Sequence, residues 1–335
     1  MKSLAKRRMT KKQKERRRNF WLGLIAAAIV FIGGYISGNQ DLDFSEVRTK
    51  LDEATANIER RMNELGGGGG RETPTAGAGT SQIHIFDVGQ GAATLLIASD
   101  GTSILVDTGR YDDGEKRIVS YLDQHIGLGE ELDLLIFTHN DSDHIGHGDL
   151  VLEYFDVQEV WMNGMDHTSR VYENLLDVLL ETDVAYYEPK AGEYLKRGAF
   201  EIQVLHPAQD SPQSNSNDES IVTRFAFDGI SLMSSGDASI PRENEIIKRG
   251  GYLQSDILML GHHGAANSTG ENWLDAVNPE MAFFQAGVDN SYGHPSVETL
   301  ERLDQFGIPV YGTTELGTIS LYLDAEGEIT VETER

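Results

Sequence analysis

Leu134-Leu135-Ile136-Phe137 runs directly into Thr138-His139-Asn140-Asp141-Ser142-Asp143-His144. The four apolar residues read as a buried strand, and a helix-period run follows at about 145–155. Two imidazoles and two carboxylates, an H-x-D-x-D-H block, therefore stand at a strand end, where loops carry active groups. Borderline and hard divalent metals take mixed nitrogen and oxygen ligands of this kind. A polar turn with a helix N-cap at Asp141 or Asp143 is the plainer reading. One Asp would fit it; four ligand-type side chains at this spacing favour a metal site.

The pattern repeats outward. Val106-Asp107-Thr108-Gly109 ends a strand in a carboxylate and a tight turn, and Met233-Ser234-Ser235-Gly236-Asp237 ends another the same way. Leu260-Gly261-His262-His263-Gly264 ends a third in paired histidines. Each alone is weak, because Asp before Gly is usually a turn residue. Together they form an ordered series of strand-end Asp and His groups. The chain has no Cys, which excludes thiolate ligands, disulfides and a thiol nucleophile. That composition fits a two-metal hydrolytic centre.

Further strands are expected at 83–86, 94–97, 103–106, 159–162, 202–205, 257–260 and 281–284. Helix-period runs lie near 115–126, 168–182, 239–249, 269–277 and 296–306. Hairpins mixed with β–α alternation predict an α/β or α+β layered sandwich. It occupies residues 81–335 as one domain, with no internal repeat.

The N-terminal quarter has another character. Residues 1–18, a basic tail, hold ten Lys/Arg and one acid, Glu15. Residues 20–36 carry no charge, with Trp21 and Tyr35 near the ends, so 19–38 reads as a transmembrane signal-anchor. A cleaved signal peptide is the rival, with Gly33, Gly34, Ser37 and Gly38 as cleavage-site residues. Either way the flanking cations predict a cytoplasmic N-terminus and an extracytoplasmic body: a single-pass cell-membrane protein if the anchor stays. Residues 39–65 carry an apolar stripe (Phe44, Val47, Leu51, Ala54, Ile58, Leu65) that reads equally as a coiled coil or a lone amphipathic helix. The coiled-coil reading makes residues 42–65 a route to a homo-oligomer. Residues 66–80, with five consecutive glycines, read as a flexible linker.

Of 335 residues, 54 are acidic and 28 basic. Without the first 18 residues, 18 basic and 53 acidic side chains remain, a charge of −35. Such a body repels DNA and anionic membranes at moderate salt. Acid spread along the whole body, with few Lys, favours a halophilic protein, since at molar salt the Debye length is about 3 Å.

The order Asp-Thr-Gly, H-x-D-x-D-H, Gly-Asp, His-His-Gly resembles the metallo-β-lactamase fold. More narrowly, it resembles the metallo-β-lactamase-like domain of the competence DNA-uptake family ComEC. Phe86-Asp87-Val88-Gly89-Gln90-Gly91, His206-Pro207, Asn217 with Ser220, and Asn290-Ser291-Tyr292-Gly293-His294-Pro295 match as well. The resemblance spans nearly all of 82–325 and implies an αββα sandwich with metals in a groove at one edge. It implies two divalent ions, Zn²⁺ or Mn²⁺, held by His139, Asp141, Asp143, His144 and Asp237. Asp237 would be the bridge and Asn217 a weak ligand, and the choice between His262 and His263 stays open. Asp107, Asp87 and Gln90 would support the ligands. Two departures stand out: position 92 is Ala where that family usually has Asp, and His147 follows the block where it usually has Gly.

The resulting expectation is a membrane-tethered phosphodiesterase or nuclease using a metal-bridging hydroxide. Asp143 would serve catalysis, and His294, with Tyr292 and Asn290, would bind the phosphate or protonate the leaving group. The implied partner is nucleic acid, single-stranded DNA foremost. A single anchor excludes a complete uptake channel in this chain. The alternatives are a hydrolase of small esters, lactones or nucleotides on the same fold, and a non-catalytic binding module with a structural metal.

Overall fold

The computed structural model describes residues 80–211, 215–324 and 327–335. The expected tail, anchor, stalk and linker up to residue 79 lie outside the described residues. Among the described residues no helix is long and apolar enough to cross a membrane.

The domain opens with three antiparallel strands, β1 (Ser81–Ile85), β2 (Thr94–Ile97) and β3 (Ser103–Val106). After a short β4 (Glu131–Leu132) come β5 (Leu134–Ile136), β6 (Asp156–Val157), β7 (Glu159–Trp161) and β8 (Ala185–Tyr187). The second half contributes β9 (Tyr194–Arg197), β10 (Phe200–His206), β11 (Val222–Phe227) and β12 (Ile230–Ser234). It continues with β13 (Ile257–Met259), β14 (Met281–Phe284) and β15 (Val310–Gly312), and β16 (Ile319–Leu323) and β17 (Ile329–Thr333) close the chain. One mixed sheet has the order β17-β16-β1-β2-β3-β5-β7-β8, the other β15-β14-β13-β12-β11-β10-β9.

Three apolar layers show how these stack. Between the sheets, Ile83, Ile85, Leu96 and Ile104 meet Phe200, Ile202, Phe225 and Leu232. On the far side of the first sheet, Leu95, Leu105 and Leu135 bury against helices 117–125, 148–154 and 170–181. On the far side of the second, Met233, Leu258 and Ala282 bury against helices 240–249, 271–277 and 297–306. The central strands are buried on both faces, which is why they read as unbroken apolar runs. This is the αββα sandwich that the family resemblance implies, and it falls within the layered α/β or α+β class that the strand and helix pattern predicts. Burying one of its large side chains is worth about 2–5 kcal/mol against alanine.

The expected helix at 145–155 begins later, at Gly148, because His147 adopts a left-handed conformation (φ 58°) and the block before it is a tight turn. His147 reaches back to the Asp113 carbonyl (Nε2–O 3.0 Å), so it braces a neighbouring loop.

Candidate metal centre

Parallel neighbours β3, β5, β12 and β13 end at the same edge of the sandwich. Their following loops deliver Asp107, the 139–144 block, Asp237 and the His262-His263 pair to one place. Gly236, at φ 50°, makes the close turn: a Cβ there would sit 2.7 Å from the Ser220 side chain. Ser220 in turn accepts the Asp237 amide proton (3.0 Å).

Asp237 lies at the centre. Its Oδ1 is 3.2 Å from His144 Nε2, and its Oδ2 is 3.6 Å from His262, 3.7 Å from His139 and 3.9 Å from His263. His263 Nε2 is also 3.5 Å from Asp143. Asn217 Nδ2 is 3.5 Å from Asp237 and 3.4 Å from His262. Asp141 faces His139 at 3.8 Å. Two overlapping donor groups result: His139, His144 and Asp237; and Asp143, His144 and His263.

Ring tautomers decide whether these donors suit a cation. Asp107 accepts the Thr138 amide and hydroxyl protons (both 2.8 Å) and the Nδ1 proton of His144 (2.8 Å). Thr138 Oγ1, having given its proton to Asp107, accepts from His139 Nδ1 (3.1 Å). The Gln285 carbonyl accepts from His263 Nδ1 (2.8 Å). All three histidines therefore turn a lone pair on Nε2 into the site. His144 and His263 present theirs to each other at 3.2 Å, an arrangement that needs a cation between them, proton or metal. Among the described residues, His139 Nε2 is buried with no hydrogen-bond partner. The donor set fits divalent ions with mixed nitrogen and oxygen coordination.

The charges agree. Burial opposes protonation of His144, but Asp237 and Asp107 outweigh it and hold the ring well above its ordinary pKa. Burial likewise opposes His263, which Asp237 and Asp143 raise. Asp237 and Asp143 go far below the usual carboxylate range, against burial, because cationic rings surround them. His139, enclosed and beside His144, is driven down to about 4.

His262 and His263 are consecutive left-handed residues (φ 51° and 56°), which splay the two rings apart. Such a pair costs roughly 1–3 kcal/mol per residue and occurs where a site requires it. His263 turns inward to Gln285, and His262 turns to Asn217 and the open side.

The other expected residues take different roles. The His294 ring lies 5.4 Å from that of His262, and Tyr292, 68% exposed, stacks on it at 5.8 Å. Burial, then His262 and His263, bring His294 down to about 4, which keeps the ring neutral near physiological pH. Asn290 is a brace: its amide donates to the Gly287 and His294 carbonyls and accepts from the His294 amide. Asp87 pairs with Arg117 (3.4 Å) and Arg335 (2.7 Å), fixing the first loop. Gln90 accepts the Gly287 amide proton (3.1 Å) and ties that loop to the one bearing His294. Ala92 donates to the Asp143 carbonyl (3.1 Å) and lines a small cavity with His144, Asp237 and His263. An acid at position 92 would thus stand beside the donors.

Thr138, Gln285 and His167 were not foreseen. A Thr inside a strand end and a lone Gln carry no motif; their roles come from tertiary contacts alone.

Residues 86–164 match the family described as Metallo-beta-lactamase superfamily. The domain carries that superfamily's fold, with clustered Asp and His donors at the sheet edge. It is 30% identical over 254 residues to ComE operon protein 3 of Bacillus subtilis, covering 71% of this chain and 32% of that one. It is 28% identical over 249 residues to Competence protein ComA of Neisseria gonorrhoeae, covering 73% and 33%. The solved metallo-beta-lactamase fold protein YhfI of Bacillus subtilis aligns at a TM-score of 0.46 with 13% identity, covering 76% of this chain and 100% of that one. The domain resembles the metallo-β-lactamase-like domain of the ComEC competence family. The chain spans about a third of the length of the curated relatives it matches.

Proposed function

We propose that this chain is a metal-dependent phosphodiesterase, a nuclease acting on single-stranded DNA, tethered by residues 19–38 with its domain outside the membrane. The observation that carries the reading is Asp237, whose two oxygens face four imidazoles and so suit a bridge between two ions. Bound Zn²⁺ or Mn²⁺ would supply an activated water and neutralise charge on the phosphate. His139, Asp141, Asp237 and His262 would hold one ion, with Asn217 as a weak fifth donor. Asp143, His144, Asp237 and His263 would hold the other. The neutral His294 ring would offer an N–H to a phosphate oxygen, with Tyr292 stacked behind it.

The body's charge of −35 favours a second reading, a hydrolase of a small phosphodiester, ester or nucleotide that pays less repulsion on entry. One experiment separates them. The purified full-length chain in molar KCl is given labelled single- and double-stranded DNA and a generic phosphodiester, with Mn²⁺, Zn²⁺ or EDTA, beside Asp143→Ala. Metal-dependent DNA cutting lost in the variant is the expected result. Turnover of the small phosphodiester alone supports the second reading, and full activity in Asp143→Ala sinks both.

A further inference from the structure

His167 lies outside every motif, on the loop between β7 and helix 170–181, yet its Nε2 stands 3.9 Å from Asp141 Oδ1. Asp141 is the least enclosed carboxylate of the centre, 35% exposed. Among the described residues its side chain accepts no hydrogen bond; one oxygen faces His139 and the other His167. The loop that carries His167 is fastened to the metal block. Asn140, next to His139, donates to the Met165 carbonyl (2.5 Å), and the Tyr172 hydroxyl donates to the same carbonyl (3.1 Å).

The ring's orientation is also built. His167 Nδ1 accepts the amide proton of Ser169 (3.1 Å), the residue that caps helix 170–181, and the ring stands edge-on to Tyr172. An Nδ1 that accepts leaves the proton of a neutral ring on Nε2, so the atom facing Asp141 is a donor and has no lone pair for a metal.

We infer that His167 is a positioning residue: its Nε2–H, now 3.9 Å from Oδ1 of Asp141, would close on that oxygen when an ion is bound, so that Oδ2 stays turned toward His139 and the ion this pair would bind. The Asp141 carboxylate has two oxygens, and the one that does not face His139 needs a partner. The inference rests on the two-ion reading of the cleft.

The test is calorimetric titration of the full-length chain with Mn²⁺, comparing wild type, His167→Ala and His167→Gln, with thermal unfolding as a check on folding. Glutamine carries an N–H donor where Nε2 stood and no ligand nitrogen. In His167→Ala one binding step is expected to weaken about 10–100-fold, with the other unmoved and His167→Gln restoring most of the loss. Two steps unchanged in His167→Ala would overturn the inference and leave the two-ion reading standing. Loss in His167→Gln equal to that in His167→Ala would also overturn it, since the ring would then act as a ligand. A wild-type chain that binds neither Mn²⁺ nor, in a parallel titration, Zn²⁺ would overturn the two-ion reading itself and the inference with it.

Discussion

The two halves of the centre are built to different standards. On the side of His144 and His263, each ring is fixed from behind at 2.8 Å, by Asp107 and by the Gln285 carbonyl. On the side of Asp141 and His262, one ligand accepts no hydrogen bond among the described residues, another has a buried Nδ1 without a partner, and Asn217 stands where an imidazole would bind better. Donors locked before binding lose little freedom when an ion arrives, while loose donors must be ordered at that moment. The difference predicts two unequal sites, one filled at low metal concentration and one that fills late.

The largest effect should come from Asp237→Ala. It removes the carboxylate that both halves share, so both binding steps should weaken by more than about a hundredfold and hydrolysis should vanish. A variant that keeps one tight step would show that the halves are independent. Asp107→Asn attacks the braced half directly and reaches the other only through Thr138, which orients His139. It should weaken the tighter step about 10–100-fold and the looser one far less; equal loss in both would erase the distinction.

Asn217→His should do the reverse, strengthening the looser step by roughly tenfold by adding an imidazole, which titration with Mn²⁺ or Zn²⁺ would register as convergence of the two affinities. Proton linkage sharpens the contrast further. Despite burial, Asp237 and Asp107 keep His144 protonated well above its ordinary pKa, so a metal must displace that proton. The affinity of the tighter step should therefore rise with pH through and beyond neutrality, with proton release on binding, and calorimetry in buffers of different ionisation enthalpy would count those protons.

The smallest effect lies outside the centre. His125 stacks on buried His84 at 3.7 Å, and burial lowers His125 to about 4. The unfolded ring protonates near its ordinary value of about 6.5, so this pair's contribution is intact above that pH and is lost as pH falls from there toward about 4. His125→Phe should flatten that part of the melting-temperature profile without moving either metal affinity.

The sequence made the candidate ligands far easier to see than their supports. His139, Asp141, Asp143, His144 and Asp237 announce themselves by type and by position at strand ends, and apolar runs fixed most central strands to within a residue or two. Edge strands β8, β9 and β17 were not foreseen because they bury too little to leave a pattern: Tyr186, Tyr194 and Val331 are exposed. The β11–β12 hairpin did leave a signal, Asp228-Gly229, with both residues at positive φ as a tight hairpin turn demands. The unequal quality of the two halves was beyond reach. It depends on which carbonyl or carboxylate stands behind each ring, and Gln285 and His263 are brought together by parallel neighbours β13 and β14 rather than by a motif.

One feature of the first sheet bears on how the domain is made. β1 is a central strand, flanked by β2 on one side and by β16, from the far end of the chain, on the other. On the ribosome, the first strand to emerge waits for residues 319–323, about 240 residues later, before its second edge is covered. Until then it presents an unpaired row of amides and carbonyls, and the Arg335–Asp87 ion pair on the loop after β1 does not exist. A nascent or truncated chain ending before Ile319 would therefore be prone to edge-to-edge association, and the first sheet is complete only once residues 319–323 have been made.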